Sequence, residues 1–189
     1  RWYRVEAELL GSGAHSLIYV EKSAALSSAE AQAVSAEFDG RIYDLVRDYF
    51  AVESDVDHNG KVILLLLDIK DGYDGSGGYV AGYFHGYHSL DLLYSNGADM
   101  LFMDVDPGFA FYPTFRATMA HEFQHLVNFS ENFLRGGGME PDVWIDEGLS
   151  SAAEYLYQGA HLTERVDWYN RDETGYLAEG QNFLMWGAC

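Results

Sequence analysis

The stretch Thr118-Met-Ala-His-Glu-Phe-Gln-His-Leu-Val-Asn-Phe129 constrains this chain more than any other. Its apolar flanks, Ala117-Thr-Met-Ala120 and Leu126-Val-Asn-Phe129, fit a buried helix. Helical residues four apart share a face, so His121 and His125 project together and can hold one metal ion. Glu122 stands beside the first histidine, where a carboxylate can take a proton from metal-bound water. The pattern H-E-x-x-H thus points to zinc hydrolase chemistry, and it asks three things of the remaining chain: a third ligand, a surface that holds substrate, and a scaffold.

A catalytic zinc site has three protein ligands and one open position. Downstream, the stretch from Asp142 to Tyr155 reads as a second helix and offers Glu147 as the best third ligand. Asp146 is the rival, but adjacent helical residues diverge by about 100°, so the two do not reach the same ion. Glu154 lies two helical turns beyond Glu147 on the same face; it either accepts a histidine N–H or is a surface carboxylate. The extension His-x-x-Gly-x-x-His is absent, because Asn128 and Glu131 fill its places, which removes a three-histidine site.

Ahead of the metal helix the chain reads as strands around one helix. Arg4–Leu9 alternates polar and apolar residues and pairs with Ser16–Val20 as a hairpin. Ser27-Ser-Ala-Glu30 forms a capping box, and Ala31, Val34, Phe38, Ile42, Leu45 and Tyr49 trace one apolar stripe along the helix it opens, with Gly40 a weak point. Val62–Leu67 is a continuous apolar run, as in a central strand covered on both faces. The Gly- and Tyr-rich segment from Asp71 to His88 predicts loops and a short strand, with His85 and His88 read as surface residues or as supports behind the ligands rather than as ligands. Met100–Val105 predicts a further strand, read as the sheet edge that pairs with an extended substrate. Pro113-Thr114 then opens the metal helix. Asp55, Asp57, Asn59 and Gly60 match the first half of an EF-hand loop, but Leu66 stands where a bidentate glutamate is needed. A plain Asx-rich turn accounts for the same residues, so calcium is only a candidate cofactor.

Composition narrows the partners. The 189 residues carry 30 acidic against 11 basic side chains, a formal charge of -19, which opposes nucleic acid and anionic membrane as partners. No apolar run approaches membrane-spanning length. The lone cysteine, Cys189, forms no disulfide within this sequence. Residues 1–189 read as a single domain, with Asn182–Cys189 resembling the opening of a helix cut short at the C-terminal end.

With these residues in place, His121-Glu-Phe-Gln-His125 followed by Trp144-Ile-Asp-Glu-Gly148 resembles the gluzincin superfamily of zinc metallopeptidases. More narrowly, Asp55–Lys61, Val80–Phe84, Ser95-Asn96 and the metal helix resemble the bacterial hyicolysin-type neutral metallopeptidases. The resemblance implies an α+β, zincin-like catalytic domain: a mixed twisted sheet packed against a long N-terminal helix and the active-site helix, with a second metal-ligand helix following. It implies zinc on His121, His125 and Glu147, with Glu122 as the catalytic base. It further implies endopeptidase action on peptide or protein substrates and a secreted, extracellular bacterial protein. Two departures stand out: Asp146 replaces the usual asparagine, and Ser151 replaces an aspartate that orients a histidine ligand. No residue matches the family's oxyanion-stabilising Tyr or His; Tyr155, Tyr157 and His161 are the nearby candidates. The alternatives are a non-catalytic module on the same fold and a zinc hydrolase of a non-peptide amide.

Overall fold

The computed structural model describes residues 3–76, 79–106 and 113–160, with positions 163, 167 and 171. The segments Asn182–Cys189 and the candidate His161 lie outside the described residues. Five strands form one mixed sheet in the order β1-β2-β3-β5-β4, made of Ala7–Ser12, Ser16–Glu21, Val62–Leu67, Met100–Asp104 and Gly82–Phe84 for β1, β2, β3, β5 and β4. The three central strands run parallel, and β1 and β4 pair antiparallel at the two edges. This is the α+β, mixed-sheet architecture that the sequence implies.

β3 reads apolar throughout because both its faces are covered. Leu64 and Leu66 face the helices with Ile18, Val20, Leu101 and Met103, while Leu65 and Leu67 pack on the opposite face with Met100 and Phe102. Met100–Asp104 is therefore not the edge expected of it: it lies between β3 and β4 and is buried along its whole length. The edge facing the metal helix is β4. Only three residues long and bearing a glycine, β4 carries too little hydrophobic alternation to signal its position.

The N-terminal helix departs from a single stripe. Helix α1 (Ser28–Glu37) passes through a π-helical turn at Phe38–Ile42 into α2 (Tyr43–Tyr49). The wider turn inserts a residue into the helical register, so Tyr43 and Val46 turn inward after Ile42, while Tyr49 is 66% exposed. Gly40 sits inside that turn. The capping box forms as expected: the Ser27 side chain accepts the Glu30 N–H, and the Glu30 carboxylate accepts the Ser27 N–H at 2.7 Å. Ser27→Ala should cost about 1 kcal/mol of stability, read as a drop in urea midpoint with an unchanged slope; no drop would show that tertiary packing alone sets this helix end.

Two further helices follow among the described residues, α3 (Pro113–Phe129) and α4 (Val143–Gln158), linked by a π-helical turn at Ser130–Arg135 and the turn Gly136–Gly138. Phe123 of α3 is fully buried against Phe38 and Tyr43, which anchors α3 to the N-terminal helices. Ser150 of α4 donates to Gln124 of α3 at 2.5 Å in the buried seam between them. The face of α3 opposite the N-terminal helices is thereby held against α4 and the β4 edge.

Candidate metal centre

His121 and His125 lie one turn apart on α3, both nearly buried, with their Nε2 atoms 3.0 Å from each other. Glu147, from the second turn of α4, brings its carboxylate to 3.5 Å from the His121 Nε2 and 3.9 Å from the His125 Nε2. Ligand atoms of the three residues all fall within 4.8 Å of one another. The residues singled out by spacing are thus brought together in space, although they come from two helices.

The outer nitrogens decide what the inner ones offer. His125 Nδ1 faces the Asp146 carboxylate at 2.9 Å, and His121 Nδ1 faces Glu154 at 3.4 Å. A ring whose Nδ1–H is directed at a carboxylate presents a lone pair at Nε2. Two such lone pairs 3.0 Å apart repel unless a proton or cation sits between them. Zinc–nitrogen bonds of about 2.0–2.1 Å span that gap, and neutral imidazole with carboxylate is a donor set zinc accepts. The residues fit a zinc ion.

Without metal, protonation does the same job. Burial disfavours a charged His121, but the Glu147 and Glu154 carboxylates outweigh burial and raise its pKa to about 9. The hydrogen bond from His121 in turn lowers the pKa of Glu147. Asp146, though partly buried, is also lowered, by the hydrogen bond and charge of His125.

Glu122 stands apart from the three ligand candidates. It is 6% exposed, and burial raises its pKa against the pull of His121 and His125. Its Oε2 accepts the Phe84 N–H of β4 at 2.8 Å. The metal helix is thus tied to the sheet edge at its carboxylate. Sequence reasoning missed that partner, because Phe84 lies 38 positions away and gives only a backbone group.

Other candidates fall elsewhere. Tyr157 donates its hydroxyl to Glu37 at 2.6 Å beneath the Arg41 guanidinium, so it braces α4 on α1 and faces away from the metal residues. Tyr155 is exposed. His85 caps a short 3₁₀ turn through its Nδ1, and the buried His88 ring packs near Phe102 and accepts the Asn96 N–H; neither joins the metal cluster. In the EF-hand-like turn, Asp55 and Asp57 meet an unanticipated third carboxylate, the buried Asp99, within 4.8 Å. Asp99 also accepts the Val56 N–H at 2.7 Å and the Ser54 hydroxyl. Among the described residues no helix is long and apolar enough to cross a membrane.

No family model matches the chain. A curated protein, the neutral metalloprotease ShpI of Staphylococcus hyicus, is 34% identical over 192 aligned residues, covering 97% of this chain. The chain spans 43% of that relative's length.

Proposed function

We propose, from the premise that the chain is a relative of the neutral metallopeptidases, that residues 1–189 form a zinc-dependent peptidase domain hydrolysing internal peptide bonds. The observation that carries this is the convergence of His121 and His125 Nε2, 3.0 Å apart, on Glu147 beside a buried Glu122. A zinc ion held by His121, His125 and Glu147 would supply a Lewis acid that polarises a carbonyl and acidifies water. Glu122 then serves as the proton carrier. It accepts a proton from the water that adds to the peptide carbonyl and delivers one to the amine nitrogen as the C–N bond breaks. The Phe84 N–H holds this carboxylate in place from the sheet edge.

The β4 edge supplies the surface for substrate. Ala81 directs its carbonyl to the Asp104 N–H of β5, so Tyr83 also faces β5, while the Gly82 backbone groups and the Phe84 carbonyl are directed outward and the Phe84 N–H is taken by Glu122. An extended peptide would pair there as an added strand, antiparallel or parallel to β4, beside Glu122. Pairing along a strand favours internal bonds of a protein chain over its termini. Secretion follows the resemblance to bacterial neutral metallopeptidases and agrees with the formal charge of -19, which favours solubility.

Casein hydrolysis that disappears with a zinc chelator and returns with added zinc tests the assignment. Elemental analysis that finds no zinc in protein prepared without chelator would defeat it. The Asp55, Asp57 and Asp99 carboxylates extend the reading to calcium as a structural ion. On that basis Asp57→Ala should lower the unfolding temperature by several degrees with calcium present and much less without it; an equal loss in both conditions refutes the ion.

A further inference from the structure

We propose that Asp146 and Glu154 are positioning residues, each fixing one imidazole so that its Nε2 faces the metal, and that Asp146 is not itself a ligand. This rests on the zinc reading above. Asp146 and Glu147 are neighbours on α4, yet they reach different targets: Glu147 points its carboxylate to the Nε2 pair, whereas Asp146 meets His125 from behind, at Nδ1. Its second oxygen is held by the Asn128 amide at 2.5 Å, and Asn128 in turn accepts the Asn132 amide at 2.7 Å. This relay leaves Asp146 one oxygen for the histidine, and its first member, Asn128, comes from the same helix that carries His125. Glu154 approaches His121 from the opposite side, two turns further along α4, with 12% of its side chain exposed. One helix thus delivers three carboxylates to two rings, one inward and two behind.

Such outer carboxylates set ring orientation and tautomer and raise ligand basicity, and their loss costs about 10–100-fold in metal affinity. The test uses the full chain, with zinc measured by competition against a chromophoric chelator and cobalt substituted as a spectroscopic probe. Asp146→Ala and Glu154→Ala should each weaken zinc by about 10–100-fold while the cobalt absorption bands keep their positions, because the ligand set is unchanged. Glu154→Gln retains an oxygen acceptor and should recover most of the affinity. Glu147→Ala should instead shift the cobalt bands. The proposal is overturned if the alanine variants bind zinc within twofold of the parent. It is overturned too if Asp146→Ala shifts the bands as Glu147→Ala does. It also fails if Glu154→Gln is as weak as Glu154→Ala while both lower the unfolding temperature of metal-free protein equally, which marks a merely structural role. Should the unsubstituted protein take up no zinc, the underlying site reading fails first; zinc uptake by the parent with unaffected variants isolates the failure to the positioning role.

Discussion

Glu122→Gln should leave zinc content at the parent level and reduce peptide hydrolysis by about 10²–10⁴-fold, the usual contribution of a general acid–base group. The two effects separate because Glu122 is outside the cluster formed by His121, His125 and Glu147. The glutamine is isosteric, and its carbonyl oxygen can still accept the Phe84 N–H that holds Glu122 at 2.8 Å. Neither the β4 edge nor α3 needs to move. What is lost is the ability to accept a proton. Burial also makes the parent carboxylate costly, raising its pKa against the attraction of both histidines. The variant should therefore unfold at the same temperature or slightly higher. Paired measurements of kcat on a quenched peptide and of zinc by mass spectrometry decide the matter. A rate within tenfold of the parent, with zinc in place, would remove Glu122 from its role.

Much of this site was legible because its logic is local. The spacing of His121, Glu122 and His125 needs only helical periodicity, and Glu147 needs only a second helix that packs on the first. The features that were not legible depend on non-local geometry. The π-helical turn at Phe38–Ile42 brings Tyr43 and Val46 onto the buried face and leaves Tyr49 exposed, with Leu45 partly buried against the core, and no residue type announces it. Met100–Val105 reads as an edge strand because the short strand predicted within Asp71–His88 carries no signal of which neighbour it pairs with, and at three residues it is too short to show a period. Asp99 reaches the loop of Asp55 and Asp57 across more than forty positions. Asp146 was read as a rival for the metal because sequence shows a carboxylate at the right place but not which side of the ring it approaches.

Stripping the metal should make the protein's stability fall as pH rises from about 6.5 to about 9, and reloading zinc should abolish that fall. The sign follows from His121. Its pKa is about 9 in the folded chain against 6.5 for the unperturbed group. A raised folded pKa means that the native state binds the proton more tightly than the unfolded one. The resulting stabilisation is fully present below pH 6.5 and is lost as pH climbs through 9. The shift corresponds to about 3 kcal/mol at 1.36 kcal/mol per unit. The cause is the carboxylates of Glu147 and Glu154, which prevail over the burial that opposes the charge. Lowered pKa values for Glu147 and Asp146 act the other way: their stabilisation is present above the ordinary carboxylate range and is lost in acid. Metal-free protein should thus be most stable near pH 6, where His121 holds its proton and both carboxylates are charged. A zinc ion held there would take the place of that proton, so the loaded site should gain nothing from protonation and show no such alkaline loss. On the acid side, protonation of His121 opposes metal binding, so loaded protein should lose stability more steeply than stripped protein as pH falls. Urea unfolding at pH 6 and pH 9, with and without zinc, measures all four corners. If stripped protein is equally stable at both pH values, the carboxylates do not hold a proton on His121 and the electrostatic account of the pocket is wrong. If Glu147→Gln leaves the alkaline fall of stripped protein undiminished, Glu147 is not what holds that proton.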